Sequence, residues 1–457
     1  MLHPQGGPPE LSRWRWDIVR FTRGAGLEIG RGPHKAFPHF IGVRLKSDKC
    51  LNDFEVESWA ELPDLVKGKE LDFVFVWGVD FQDVAVHARP LLKDGGFLID
   101  GTGEHHLYVT KVGETDEFII GDNKPNPHEA TKTAAVVRYG AIGDALQTSA
   151  ICSSLKRDGY HVTLFCHPVG EELLRHDPHV DQFWVQDRDQ VPNSELWPYW
   201  DHMAKKFDRW INLCESVEGT LLAMPGRSNH RWPKDVRHKY MNVNYLQFMF
   251  EIAEQKFEPS HFFYATEEER AEAKAALSPG YNVVWALAGS SVHKTYPHTD
   301  NVVAQILSEI PGSHVYFVGD SLSAMLEAGW EKEPRVHRLC GRIDIRRSIA
   351  LAQQANLVVG PETGVLNAVA FENNAKIVFL SHSTSENLTR DWNNTEALAS
   401  EDTPCYPCHR LHMNHEFCPM QEDGGARCQS ELHPATVWAA VQRAHKGWDT
   451  VNRMLRA

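Results

Sequence analysis

The chain has 457 residues, 42% of them hydrophobic and 24% charged, a composition typical of a soluble globular protein of two or three domains. Its 47 basic and 61 acidic residues give a formal charge of -14, which argues against broad, nonspecific nucleic-acid binding because that relies on a basic face. No apolar run approaches the roughly 20 residues that span a bilayer. Residues Met1–Gly7 lack the basic start and apolar stretch of a signal peptide, so a cytoplasmic location is expected.

Apolar runs bounded by turn residues organise the first segment, which extends to about Ile120. Gly26–Gly32, Phe40–Val43 and Leu71–Trp77 are predicted strands, and Leu91–Ile99 is predicted to be the end of a helix, a turn and a strand. Strands that alternate with helices predict a parallel α/β sheet. The turn residues of Gly121–Pro127 then predict a linker.

Two further α/β units follow the linker. The second unit opens with the predicted strands Ala134–Arg138 and Val162–Phe165. The third unit has four predicted strands: Asn282–Leu287, His314–Val318, Leu357–Gly360 and Ala375–Leu380. Each run has the length of a buried strand, so three sheets of the α/β class are expected.

A glycine-rich turn follows the first strand of the second unit. It reads Arg-Tyr-Gly-Ala-Ile-Gly-Asp, from Arg138 to Asp144, and leads into a predicted helix. Such a turn lets a ligand approach the backbone, and a helix N-terminus favours negative charge on that ligand. Asp144 would then lie at the carboxyl edge of the sheet, where open α/β folds bind ligands. Simple helix capping by Asp144 is the alternative, because short glycine patterns are weak signals.

Two loops of the third unit also place polar residues directly after strands. Ala288–Pro297 offers small residues, hydroxyls and one cation, Lys294, which suits a phosphate; a solvated lysine is the alternative. In the second loop, Glu362 and Thr363 are candidates to hold hydroxyls and phosphate, and simple helix capping is the alternative. Spacing alone leaves both choices open.

Four cysteines near the end of the chain follow the spacing C-x2-C-x9-C-x9-C: Cys405, Cys408, Cys418 and Cys428. Thiols this dense in a chain without a secretion signal indicate a metal site rather than disulfides, with four unrelated thiols as the alternative. Four soft ligands favour one tetrahedral Zn or Fe ion in a structural site. Three histidines lie between the second and third cysteines and are candidates to replace a ligand, although surface positions are the commoner outcome: His409, His412 and His415.

The other five cysteines have no ligand spacing and are expected to be buried thiols: Cys50, Cys152, Cys166, Cys214 and Cys340.

The three polar loops together resemble glycosyltransferase family 9, the heptosyltransferases, over roughly residues 134–445. The Arg-x-Gly-x-x-Gly-Asp turn is similar to the family's N-terminal loop, and this implies that Asp144 is the catalytic base. Lys-Thr-Tyr-Pro resembles the family's Lys-x-Trp-Pro, and Glu-Thr-Gly resembles its Asp-Thr-Gly. The resemblance implies that the nucleotide-sugar donor is bound by six residues: Gly143, Ser290, Lys294, Glu362, Thr363 and Gly364.

Three positions depart from this pattern. Tyr296 replaces Trp, Glu362 replaces Asp, and Asn367 stands where a His is usual. The cysteine cluster also has a parallel, because iron-binding autotransporter heptosyltransferases carry a four-cysteine site in a similar region. That resemblance favours iron over zinc.

The first segment resembles a methyltransferase that has lost its working parts. Leu27–Gly32 is similar to the glycine loop that binds S-adenosylmethionine, but Arg44 follows the second strand where that family has an acidic residue. A cation cannot accept the hydrogen bonds of a ribose hydroxyl. A degenerate domain with a structural or acceptor-docking role is therefore favoured over a working methyltransferase.

The prediction is an α/β protein in which a GT-B-like pair of Rossmann-type domains follows an additional N-terminal Rossmann-like domain. The predicted boundaries are 1–120 for the methyltransferase-like domain, 121–133 for the linker, 134–275 for the acceptor half and 276–457 for the donor half. The predicted activity is inverting transfer of a heptose-like sugar from a nucleotide diphosphate to a hydroxyl of a saccharide or protein, without a catalytic divalent cation. A non-catalytic nucleotide-sugar-binding or assembly protein and a methyltransferase are the alternatives. No nucleic-acid partner and no membrane span are expected, and an oligomer is compatible with the sequence.

Overall fold

The computed structural model describes residues 9–48, 53–103, 106–113, 117–121 and 132–456. Residues 1–7, Cys50 and most of the predicted linker, residues 122–131, lie outside them. By its internal contacts the chain separates into two compact units. The first contains Met1–Ala135 and Trp184–Trp210, and the second contains Val136–Phe183 and Ile211–Ala457. The sequence did not predict that residues 184–210 would group with the first unit.

A seven-stranded sheet forms the core of the first segment. Its strands are β1 (Gly26–Ile29), β2 (Ile41–Leu45), β3 (Phe54–Val56), β4 (Leu71–Val76), β5 (Leu92–Asp100), β6 (His106–Lys111) and β7 (Glu117–Gly121), with the helices α1 (Pro9–Trp14), α2 (Leu62–Val66) and α3 (Phe81–Ala88). The order is β3-β2-β1-β4-β5-β6-β7. The first five strands are parallel, as in doubly wound folds, whereas β6 and β7 pair antiparallel and were not predicted.

Two large side chains fill the space beside the first glycine loop. Arg44 is fully buried, and its guanidinium donates to the Glu28 carboxylate at 3.2 Å and to the Gly32 carbonyl at 3.0 Å. The indole of Trp77 donates to the same carboxylate at 2.8 Å, and its ring lies so close to Gly30 that a Cβ there would overlap it. Arg44 therefore turns inward as a structural group.

A four-stranded sheet follows. Its elements are β8 (Thr133–Val137), α4 (Ile142–Arg157), β9 (His161–Cys166), α5 (Pro168–Leu174), β10 (Gln182–Val185), α6 (Leu196–Ala204) and β11 (Arg209–Asn212), and then come a π-helix (Val217–Leu221), α7 (Lys234–Met241) and α8 (Tyr245–Ile252). The strand order is β10-β9-β8-β11. All five residues of β8 are buried, which explains why the four residues after Thr133 form a continuous apolar run.

A six-stranded parallel sheet is the third. Its elements are α9 (Glu267–Ala276), β12 (Tyr281–Ala286), α10 (Thr299–Glu309), β13 (Ser313–Val318), β14 (Val336–Arg338), α11 (Ile345–Gln354), β15 (Leu357–Pro361), α12 (Gly364–Ala368), β16 (Ala375–Phe379), β17 (Thr395–Leu398), α13 (Arg427–Ser430) and α14 (Pro434–Arg456). The strand order is β14-β13-β12-β15-β16-β17. The four predicted strands are its centre, and the short edge strands β14 and β17 were missed.

The predicted fold class is confirmed, because the structure contains three sheets with helical connections, which correspond to the three predicted α/β units. The predicted domain boundaries stay a prediction. In the part of the chain that the structure describes, no helix combines the length and the apolar composition needed to cross a membrane.

Candidate functional site

The first helix turns of α4 and α12 pack against each other in the second unit. Gly364 faces Ile142 so closely that a Cβ on Gly364 would overlap the isoleucine side chain. Next to this contact, the Gln147 amide donates to Oδ1 of Asn367 at 2.9 Å, and both side chains are buried. The start of α4, around Gly143, and the start of α12 are therefore brought together, a contact that the sequence did not predict.

Asp144 lies at this junction, in the first turn of α4. Its Oδ2 accepts a hydrogen bond from the Ala141 N–H at 2.9 Å, so the capping role given as the alternative is present. Its Oδ1 is 2.7 Å from the guanidinium of Arg138, which is 1% exposed, whereas the Asp144 side chain is 22% exposed. Each carboxylate oxygen has two lone pairs, so Asp144 can still accept a proton or hydrogen bond from a ligand.

A second carboxylate, Glu218, shares the same guanidinium and was missed in the sequence. Both of its oxygens lie near one Arg138 nitrogen, at 3.0 and 3.1 Å, and its side chain is also 22% exposed. Burial and the negative charge of Asp144 raise the pKa of Glu218, while Arg138 opposes this. The signal that could have found Glu218 is its place shortly after β11, at a strand end.

Lys294 lies in the loop after β12, as predicted, and its backbone folds the loop back. Its N–H donates to the Ser291 carbonyl and its carbonyl accepts from the Gly289 N–H, both at 2.8 Å. Nζ of Lys294 makes no hydrogen bond to any residue that the structure describes. The ammonium is electrostatically coupled to Glu362 and His293, so it lies close to the loop before α12. Ser290, in the same loop, is exposed.

Glu362 is buried and uses its carboxylate inside the protein. Oε1 accepts from the Ser381 N–H at 2.8 Å, and Oε2 is 2.9 Å from Nδ1 of His382. Burial by itself would raise the pKa of Glu362, but His382 and Lys294 outweigh it and hold this pKa below its ordinary value. Glu362 thus joins the ends of β15 and β16 instead of pointing freely at a ligand.

The remaining loop residues have structural partners. The Thr363 hydroxyl accepts from the Leu366 N–H at 3.5 Å, so Thr363 caps α12. Asn367 donates to the Thr363 carbonyl at 2.9 Å. Tyr296 is buried, its hydroxyl donates to the Leu432 carbonyl, and its ring packs on Phe379. For Thr363 the capping alternative is therefore observed.

The four clustered cysteines line one small cavity of about 40 Å³, which is enough for one ion or one water. Its wall contains Cys405, Cys408, Cys418 and Cys428, together with His293 and His412. Burial raises the pKa of Cys408 to about 12 and that of Cys418 to about 11, so a metal would have to displace thiol protons.

The side chains that line this cavity are of the types that bind metal ions, but their positions do not yet form a metal site. As the side chains stand, no group of three or more Cys, His, Asp or Glu among the described residues is placed to hold a metal ion. However, the lining offers four sulfurs, and the Nδ1 atoms of His293 and His412 are buried without a hydrogen-bond partner. These donors suit Zn or Fe.

The expectation of surface histidines was wrong for two of the three. His409 and His412 are buried, and Nε2 of His412 is 3.8 Å from the sulfur of Cys408. Burial lowers the pKa of His412 to about 4, so its ring is neutral, which is the form that binds metals. Among the other cysteines that the structure describes, three are buried as predicted: Cys152, Cys166 and Cys340. Cys214 is only partly buried.

A comparison with known families gives the class of protein. The model of "Glycosyltransferase family 9 (heptosyltransferase)" matches residues 203–416, just under half of the chain. The chain is a glycosyltransferase. The match includes the Lys294 and Glu362 loops and the first two clustered cysteines of this glycosyltransferase. It begins after Asp144.

Three solved glycosyltransferase structures are similar to the chain at low identity. ADP-heptose lipopolysaccharide heptosyltransferase II of E. coli is 11% identical, with a TM-score of 0.48, over 69% of this chain and 99% of that one. The iron-containing dodecameric glycosyltransferase TibC of enterotoxigenic E. coli H10407 is 13% identical, with a TM-score of 0.47, over 75% and 83%. A family 9 glycosyltransferase of Veillonella parvula is 14% identical, with a TM-score of 0.45, over 58% and 85%. No curated protein matches the chain.

Proposed function

We propose that this glycosyltransferase moves a heptose-like sugar, with inversion, from a nucleoside diphosphate to a hydroxyl acceptor. The observation that carries the proposal is the junction of α4 and α12. There a partly exposed carboxylate, Asp144, lies beside the loop that precedes α12. The ammonium of Lys294, which interacts electrostatically with Glu362, lies close to the same loop.

In the proposed reaction Asp144 is the general base. The acceptor hydroxyl oxygen forms a bond to the anomeric carbon of the sugar while its proton passes to the Asp144 carboxylate. The bond between that carbon and the diphosphate oxygen breaks, and the nucleoside diphosphate leaves with the electron pair. Arg138 holds the carboxylate in place through a 2.7 Å contact, so the base keeps one orientation.

Lys294 offsets the negative charge that develops on the leaving diphosphate. Its Nζ has no hydrogen bond in the described part of the chain and can therefore meet the phosphates without first breaking one. The helix that begins at Gly364 has only five residues, so it adds little positive potential. A cation in this position does the work of a divalent metal ion in offsetting phosphate charge.

The departures at Glu362 and Asn367 are compatible with activity. The longer side chain of Glu362 reaches Ser381 and His382, and Asn367 links α12 to Gln147 on α4. Both residues hold the two loops in place from inside the protein. In this chain both residues have structural partners, so the two departures are not evidence for the non-catalytic alternative.

The proposal includes one structural Fe or Zn ion held by Cys405, Cys408, Cys418 and Cys428. The support is that all four cysteines line one cavity, three of them buried and Cys405 exposed. Bound there, the ion would connect the segment 405–428 within itself and would supply no chemistry to the transfer.

The test is to incubate the purified protein with a panel of nucleoside-diphosphate sugars that includes an ADP-heptose, and to follow the products by mass spectrometry. We expect slow hydrolysis of one donor without acceptor, and transfer once a hydroxyl acceptor is present. Binding of a donor without any hydrolysis or transfer would favour the non-catalytic alternative. Methyl transfer from S-adenosylmethionine would overturn the proposal.

A further inference from the structure

Two carboxylates and one guanidinium form a buried charge group behind the proposed base. Arg138 uses one terminal nitrogen for both Asp144 and Glu218, and its other terminal nitrogen donates to the Leu213 carbonyl at 2.9 Å. At 1% exposure the guanidinium can exchange neither partner for water. Its three contacts fix the distance between the carboxylates.

Glu218 is held in this group by unusual backbone geometry. It lies in a π-helical turn, Val217–Leu221. This conformation is rare in proteins overall, and where it occurs it is often at a functional site. The Glu218 and Asp144 side chains have the same exposure, 22%, so neither carboxylate is sealed off from solvent. A purely structural partner for Arg138 would not need to be accessible.

We propose that Glu218 is a positioning residue that lets Asp144 accept the acceptor's proton. This rests on the proposed function. Before the transfer, the group carries two negative charges and one positive charge. Once Asp144 is protonated, Glu218 still neutralises Arg138, so no unpaired charge is left in the buried position. Without Glu218, proton transfer to Asp144 would leave a buried guanidinium unpaired, which is strongly unfavourable.

The other titratable groups that face this set do not interfere near neutral pH. Burial raises the pKa of Cys214 to about 11 and raises that of Tyr245 on α8 further above its ordinary value. Both groups therefore remain uncharged. Glu215 pairs with Arg227 at the surface, at 2.9 Å. The charges that matter for proton transfer are those of Asp144, Arg138 and Glu218.

The first test compares two isosteric variants. Glu218→Gln should lower kcat for transfer by about 10- to 100-fold, with little change in the affinity for the donor. The acidic limb of its pH–rate profile should move to lower pH, because a negative neighbour of the base has been removed. Glu218→Asp should restore part of the rate. The control Glu215→Gln removes a carboxylate three residues away that is 69% exposed, and it should leave both rate and profile unchanged.

A Glu218→Gln enzyme with an unshifted profile would overturn the proposal, even if its rate falls, since a merely structural loss lowers the rate without moving the limb.

The second test does not depend on turnover. Glutamates labelled with ¹³C at the carboxyl carbon are titrated by NMR, and the Glu218 signal is identified by its loss in Glu218→Gln. The negative charge of Asp144 raises the pKa of Glu218, so Asp144→Asn should move the Glu218 titration to lower pH. An unchanged titration would show that the two carboxylates are not coupled, whatever reaction the protein catalyses. A shifted titration in a protein without transfer activity would leave the coupling intact and refute the proposed function.

Discussion

Replacement of Asp144 by Asn is the most direct perturbation of the proposed reaction. The amide has nearly the same shape as the carboxylate, and its oxygen can still accept the Ala141 N–H that caps α4. What is lost is the negative charge and the capacity to accept a proton. We therefore expect transfer to fall by about 10²–10⁴, the usual contribution of a general base.

The structure also sets the size of the accompanying change in stability. Asp144→Asn removes one charged contact to Arg138, but the guanidinium keeps Glu218 and the Leu213 carbonyl as partners. Because no buried charge is left unpaired, the free energy of unfolding should fall by only about 1.5–3 kcal/mol, the value of one hydrogen bond to a charged group. The loss of rate would thus exceed anything that unfolding explains.

The assay measures turnover of the preferred donor together with thermal unfolding and donor binding. Asp158→Asn is the matched control, since Asp158 lies at the other end of α4 and is exposed. Because Asp158 is far along α4 from Asp144, its substitution should leave activity unchanged. Asp144→Asn enzyme that retains more than a tenth of the wild-type turnover would refute the assignment of the base.

Three further predictions concern the donor, the metal and the first unit. Lys294→Ala should weaken binding of the nucleoside diphosphate by about 1.5–3 kcal/mol in a calorimetric titration and leave the free nucleoside unaffected; equal losses would show that Lys294 is not at the phosphates. Elemental analysis should find about one Fe or Zn per chain, and Cys408→Ser should release it and lower the melting temperature, whereas Cys214→Ser should not. Metal-free wild-type protein of equal stability would contradict this. S-adenosylmethionine should bind weakly or not at all, because Arg44 and Trp77 fill the space beside the glycine loop; tight stoichiometric binding would contradict that.

Much of the fold was predictable because buried parallel strands have a simple pattern. The runs at β8, β12 and β15 are mostly apolar, since both faces of each strand are covered, and the loops after them carry most of the polar residues. Edge strands such as β14 and β17 were missed because they are short and only partly buried. The sequence also pointed to Asp144 and Lys294, because a polar residue that follows a strand can be recognised without knowing which residues it contacts.

The partners themselves were decided by the tertiary structure. Glu218 is 74 positions from Asp144 in the sequence, and only the folding of β8 and β11 side by side brings both to Arg138. In the same way, Glu362 was predicted at a donor loop, but the chain turns its carboxylate towards Ser381 and His382. Sequence patterns fix which residues lie at a strand end, because burial and periodicity act locally. Charge pairing acts between residues that are distant in the chain, so the orientation of each side chain followed only from the packed structure.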